Sequence, residues 1–297
     1  MAVHVIQKGL DLPIKGAPEQ RFGDTPMVGK VAILARDYPF MKPRMHVQAG
    51  DRVKRGQLLF EDRKTEGVRF TSPGAGTVAA INRGARRALQ SVVIELTPSE
   101  RRGKPEDSDL QPFDSFTGRD LAELDSQTVL DLLVESGLWT AIRQRPFSKV
   151  PSPSSTCHSI FVTAIDTDPL SPDPEAVLEG QIDDLQRGLK VLGHLTKGNV
   201  YLCRAPGAKI EPGDAPRVQV EEFAGKHPAG LAGTHIHLLD PVHREKAVWY
   251  IGYQDVAAIG RLFESGKLPV GRTVALCGPV VIRPRLLKTR FGAHIDP

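Results

Sequence analysis

Between Lys30 and Leu96 the sequence never sustains an apolar run for more than a few residues: VAILA, QLLFED, VRFT, GTVAAI and SVVIEL are each cut off by Gly, Pro or charged turns. A helix needs ten or more periodic residues, so these runs read as short strands and the block as all-β. Two turns within it share one logic. Ala49 to Leu58 (AGDRVKRGQL) and Ser72 to Val78 (SPGAGTV) set Gly on both sides of a short turn, where Gly supplies positive φ and Pro73 is kept out of a central ladder. The expected product is a compact sandwich of very short strands over residues 30–97, preceded by an N-terminal arm, residues 1–29. With 28 Gly and 24 Pro among 297 residues, the chain has the turns that such a module needs.

The polar, Pro-rich stretch 98–111 reads as a linker. Beyond it, residues 112–271 alternate helix and strand signals. A helix opens at Asp125 and Ser126 and stops at Gly137; a buried strand covers Ile160 to Ile165. Pro174, capped by Asp173, opens one long helix with Leu178, Ile182, Leu185, Leu189 and Leu192 on a single stripe, and Asn199 to Cys203 follows as a strand. Strand, helix and parallel strand imply a right-handed crossover. Strands from Val218 and Lys246, and a helix from Asp255 to Ser265 closed by Gly266, complete a Rossmann-like α/β domain. Residues 272–297 read as strand, turn and strand, from Thr273 to Leu276 and from Gly278 to Pro284. One hairpin buries no core alone, so this chain is expected to be the N-terminal part of a longer polypeptide. The fold class is therefore multidomain, α+β and α/β combined.

The charge balance, 39 Lys and Arg against 35 Asp and Glu, gives a net +4 and a pI near 9.0. Its densest basic stretch, Arg83 to Arg87 (RGARR), contains no aromatic residue for base stacking and reads as a solvated hairpin tip, which sets nucleic acid aside as a partner. No apolar run is long enough to cross a bilayer, and MAVHVIQKGLDLP lacks the apolar core of a secretory signal, so a cytoplasmic location without a transmembrane segment is expected. Cys157, Cys203 and Cys277 lie too far apart for a CxxC pair, which fits a reducing compartment.

Few residues point to chemistry. Gly74 to Ala79 spells G-x-G-x-x-A, yet a strand follows where a dinucleotide site needs a helix. Cys157 and His158 are neighbours, and on a strand neighbours face opposite ways. His227, His235, His237 and His243 cluster in sequence; His235 and His237 are read as sharing one strand face, either as metal ligands or, preferred, as loop-anchoring hydrogen-bond formers. Two aromatic patches, Tyr38-Pro39-Phe40-Met41-Lys42-Pro43 and Leu138-Trp139, offer flat or polarizable surfaces to a planar quinone, to a partner protein or simply to one another. A quinone site would take Tyr38, Phe40, Met41 and Trp139 as its wall, with Lys42 or a histidine such as His227 or His235 as donor. No catalytic residue, cofactor-binding residue or metal ligand is assigned.

The GD-x-V-x-x-GQ-x-L run from Gly50, followed by Lys64, Ser72-Pro73 and Gly76-Thr77-Val78, resembles a lipoyl or biotinyl carrier domain. The carrier resemblance implies a barrel-sandwich module, with Lys64 near the position of the modified lysine. Larger segments carry a more specific likeness: KGLDLPIKGAPEQ at 8–20, ARDYPFMKPRMHVQAGDRVKRGQLLFEDRK at 35–64, GVRFTSPGAGTVAAINRGARRALQSVVIEL at 67–96 and HPAGLAGTHIHLLDPV at 227–242. Together they resemble the A-subunit family of the Na+-translocating NADH:quinone reductase. That resemblance implies a peripheral subunit on the cytoplasmic face of the inner membrane, within a complex that passes electrons from NADH through flavins and iron-sulfur to ubiquinone and exports Na+. It also implies that residues 272–297 begin a β-grasp domain, and an architecture similar to the flavin- and NADH-binding subunit of respiratory complex I. In those flavoproteins a Gly-rich loop follows the helix end, whereas here Gly137-Leu138 is followed by WTAIRQRPF, whose side chains fill the phosphate space. The leading expectation is thus an assembly subunit with quinone contact and no tightly bound cofactor. A self-sufficient NADH or flavin oxidoreductase and a carrier modified on Lys64 are the alternatives.

Overall fold

Alternation of buried and exposed residues sets the first module. In the computed structural model, which describes residues 3–295, the strand Lys30–Leu34 turns Val31 and Ile33 inward, and Leu89–Leu96 buries Val92, Ile94 and Leu96. Four strands pair in the order Lys30–Leu34, Leu89–Leu96, Gly76–Arg83, Arg52–Val53, and three more in the order Pro43–Met45, Leu58–Asp62, Arg69–Thr71. Every pairing in the two sheets is antiparallel. Phe60 and Phe70 stack at 4.6 Å in the core.

The second unit is a six-stranded sheet in the order Val3–Ile6, Val218–Gly225, Val200–Arg204, Ile160–Ala164, Val248–Gly252, Arg143–Arg145. All neighbours are parallel except the last pair. Helices Ser126–Ser136 and Tyr253–Ser265 end at Gly137 and Gly266 as expected. The long helix predicted from Pro174 is instead two, Pro174–Leu178 and Ile182–Gly193. Gly180 lies between them at φ +72°, a left-handed residue that no continuous helix contains. The leucine stripe survives because both pieces bury the same side, with Leu178, Leu185, Leu189 and Leu192 all buried.

The segment read as an N-terminal arm contributes a strand to each of two sheets. Val3–Ile6 is an edge strand of the six-stranded sheet, and Glu19–Gly23 pairs in parallel with Arg285–Arg290. The closing hairpin also differs from expectation. Its strands are Gly271–Leu276 and Arg285–Arg290, while Val280 and Ile282, read as strand, lie more than nine-tenths exposed in the turn between. With Glu19–Gly23 they make a closing three-stranded sheet, the fourth sheet among the described residues.

Most buried apolar side chains form one continuous body from Val31 and Phe60 through Leu133 and Trp139 to Ile160 and Ile259, and Phe161, Cys203, Phe223, Ile236 and Val248 form a second, smaller cluster. The stretch 98–111 adds a polar tie. Glu100, 1% exposed, receives Arg55 through Nε at 2.8 Å and Nη2 at 2.6 Å, Arg290 Nη1 at 2.9 Å and the Ala75 N–H at 3.0 Å. Burial pushes the Glu100 carboxyl up in pKa, but these partners outweigh it and hold it below its ordinary value. Among the described residues no helix is long and apolar enough to cross a membrane.

Candidate functional site

The helix Ser126–Ser136 ends against the barrel sandwich. Gly137 stands at φ +82°, and a Cβ there would lie 2.4 Å from Thr71 Oγ1, which donates to the Ser136 carbonyl at 2.6 Å. Only glycine allows this approach. The chain then makes one 3-10 turn, Leu138–Ala141. Consecutive residues of such a turn point about 120° apart, so Leu138 and Trp139 cannot share a direction.

Beside this turn, where the barrel sandwich, the α/β unit and the closing three-stranded sheet converge, lies a cavity of about 310 Å³. Tyr38 and Phe70 line it from the barrel sandwich, Leu138, Thr140 and Arg143 from the α/β unit, and Arg272 and Phe291 from the closing hairpin. Two guanidinium groups reach it. Arg143 stands 4.9 Å over the Tyr38 ring and is anchored by Nη1 to the Thr140 carbonyl at 2.6 Å and by Nη2 to the Asp37 carbonyl at 3.2 Å. Arg272 pairs with Asp255 and stands 5.9 Å from the Phe291 ring. Burial pushes the Tyr38 phenol up in pKa against the pull of Arg143, so the phenol stays protonated at neutral pH and is a donor. The cavity therefore has aromatic and aliphatic walls, with donors at its margin.

The sequence-derived site is only partly assembled. Tyr38 and Leu138 meet in the cavity. Trp139 does not belong to its wall: it is 1% exposed, donates Nε1 to the Pro151 carbonyl at 2.8 Å and meets Trp249 edge-on at 5.3 Å. Phe40, Met41 and Lys42 line a separate basic groove, with Phe40 62% exposed. His227 contacts Thr167 Oγ1 at 3.2 Å beyond the strand Val218–Gly225, four strands, roughly 19 Å, across the sheet from Arg143–Arg145. It is no donor to this cavity. Nor is His235, which is fully buried, meets the Phe223 ring at a tilt with centroids 4.1 Å apart and donates Nε2–H to the Ala229 carbonyl at 2.7 Å.

His235 and His237 lie on the helix Ala232–Leu239 and not on a strand, and residues two apart on a helix point to nearly opposite sides. Among the described residues no group of three His, Cys, Asp or Glu side chains is placed to hold a metal. Cys157 has its thiol pushed up to about 12 by burial and is thus no thiolate nucleophile. Lys64 is exposed in the turn joining Leu58–Asp62 to Arg69–Thr71, where its N–H donates to Asp62 Oδ1 at 3.0 Å. Arg143, Arg272, Phe70 and Phe291 were not singled out from sequence, because no local pattern marks residues that meet only through tertiary packing.

Residues 4–97 match the family model described as the NqrA N-terminal barrel-sandwich hybrid domain, and residues 124–268 the one described as the NqrA second alpha/beta domain. The chain belongs to the NqrA family. It is 52% identical over 291 residues to the NqrA of the Na(+)-translocating NADH-quinone reductase of Saccharophagus degradans, and 53% identical over 292 residues to that of Pseudomonas aeruginosa. Each alignment covers 98% of this chain and 63% of the NqrA relative, so the chain spans less than two thirds of their length. A chain of an NAD+-reducing [NiFe]-hydrogenase overlaps it with a TM-score of 0.40 at 13% identity, over 61% of this chain and 39% of that one, too loosely to transfer function. The family match agrees with the expected mixed α/β fold, a barrel-sandwich N-terminal domain followed by an α/β domain.

Proposed function

We propose that this chain acts as a peripheral, cytoplasmic-face subunit of a Na+-translocating NADH:ubiquinone reductase, assembling with the other subunits at the inner membrane, and that its junction cavity receives a quinone headgroup. The cavity carries the second half of the reading. A quinone is flat, apolar on both faces and bears two carbonyl acceptors; Tyr38, Phe70, Leu138 and Phe291 supply matching walls, and Tyr38, Arg143 and Arg272 the donors. About 310 Å³ accommodates a ring but not a long isoprenoid tail, which would extend outward.

The chain contributes contact and assembly in this account and performs no electron transfer alone. Flavin and NADH are assigned to other subunits, because the 3-10 turn Leu138–Ala141, with no glycine in it, stands where a Gly-rich loop would bring backbone amides to a phosphate. Within the mixed α/β fold, the barrel sandwich is read as carrier-like without cargo on Lys64, the six-stranded unit as Rossmann-like, and the closing three-stranded sheet as the beginning of a β-grasp domain. Titration with ubiquinone-1, a short-tailed quinone, tests the quinone reading: saturable quenching of tryptophan emission is expected, since Trp139 is packed behind the turn that lines the cavity. An unsaturable, linear response excludes a site.

A further inference from the structure

We propose that the barrel-sandwich domain carries a docking groove for an acidic segment of a partner protein. A groove of about 1070 Å³ runs between the Tyr38 to Pro43 turn and the turn that follows the strand Gly76–Arg83. Six cations line it, Arg36, Lys42, Arg63, Arg83, Arg86 and Arg87, and no carboxylate does. Their +6 exceeds the net +4 of the whole chain, which leaves the remainder at a net −2. The basic character of this protein is therefore local, and the RGARR stretch is one bank of a groove rather than a plain solvated tip.

A second basic depression shows why this one is distinctive. There Arg55 and Arg290 share Glu100, Arg101 pairs with Glu95, Arg261 with Asp184 and Lys267 with Asp107. In the six-cation groove, among the described residues, the sole ion contact is Arg36 to its neighbour Asp37 at 3.9 Å, and Arg83 donates to the Arg87 carbonyl at 3.1 Å. Concentrated cations with so little counter-charge repel one another and set up a field that an anionic chain relieves. Arg86 and Arg87 both sit at positive φ, +54° and +59°, a conformation that Gly or Asn adopts at lower cost.

The groove also offers an apolar anchor. Phe40, at φ +68°, meets Phe147 edge-on at 6.2 Å, and the two rings are 62% and 66% exposed. A concave, cation-lined channel with an exposed aromatic at one end fits an extended acidic segment bearing an apolar residue better than it fits a flat bilayer. This supplies a surface for the assembly role proposed above, and its test involves neither quinone nor the other subunits.

The test is fluorescence anisotropy with a labelled peptide of about 12 Asp and Glu residues containing a single Leu, at about 50 and 300 mM salt. Binding is expected to weaken steeply with salt. The variant R83E/R86E/R87E should lose about tenfold or more in affinity, whereas K104E/K197E/R244E, an equal charge change at exposed sites elsewhere, should change it less than about twofold. Thermal melting checks that both variants fold, and K42E/R63E on the opposite bank serves should the first fail to. Absence of peptide binding, or equal loss in the groove and control variants, overturns the proposal. Binding to phosphatidylglycerol vesicles or to a single-stranded oligonucleotide, lost in the groove variant while the peptide does not bind, overturns it in favour of a lipid or nucleic-acid surface.

Discussion

The guanidinium of Arg143, on the edge strand of the α/β unit, lies 4.9 Å over the ring of Tyr38, which belongs to the barrel sandwich. This cation–π contact lies at one side of the junction cavity and adds a tie between two units that already share an apolar core. Replacing Arg143 by Leu removes the contact and both carbonyl anchors. The expected cost is about 1 to 2 kcal/mol in denaturant unfolding, together with weaker quinone binding. Unchanged stability contradicts an anchoring role for this residue.

Phe40 and Trp139 are separated by their surroundings. Trp139→Ala deletes a buried indole and its hydrogen bond to Pro151, and should destabilise by about 3 to 5 kcal/mol. Phe40→Ala, at an exposed ring, should stay within about 0.5 kcal/mol of the wild type. Urea melts of the two variants distinguish a core residue from a surface one.

Glu100 joins Arg55 and Arg290 across two sheets. Glu100→Gln leaves two buried guanidinium groups without their charge partner and should cost about 3 to 5 kcal/mol. Because the folded carboxyl is held below its ordinary 4.5, its contribution is complete above that value and is lost as pH falls through the lower, folded-state pKa. Unfolding free energies measured down the acid limb should show a loss that the Gln variant lacks.

His235 gives a second pH dependence, of the sort expected for a buried neutral imidazole. Burial holds it down to about 4, with the nearby His4 adding to this and the Ala229 hydrogen bond opposing it. The unfolded chain binds a proton near 6.5 and the folded one does not, so stability is full above 6.5 and declines as pH falls from 6.5 to about 4. The decline is about 3 kcal/mol. His235→Phe, which keeps a ring against Phe223, should flatten the profile in that window, and a retained slope would assign it to other groups.

Local chemistry made much of the fold legible. Asp125 and Asp173 cap the helices they precede, Gly137 and Gly266 end theirs, and alternating burial marks Lys30–Leu34. The helix Ala232–Leu239 was not legible, because Gly, Thr and adjacent histidines mask its period and it is held by packing of His235 and Ile236 on the sheet. The closing three-stranded sheet was hidden for a different reason: Glu19–Gly23 joins Arg285–Arg290 by a parallel pairing across nearly the whole chain. At the site, residue type pointed to Tyr38 and to the Leu138 corner. The rotation of a single 3-10 turn then decided that Leu138, and not Trp139, faces the cavity.

The central claim is that the junction cavity is where this chain meets quinone. Its most direct test is the equilibrium affinity for ubiquinone-1 of the wild type and of Ala141→Leu, which adds volume to the cavity wall without touching a charge. The account predicts saturable binding by the wild type and an affinity weaker by about tenfold or more in the variant, with both proteins melting at similar temperatures. Equal affinity in the two folded proteins, or no saturable binding by the wild type, contradicts it.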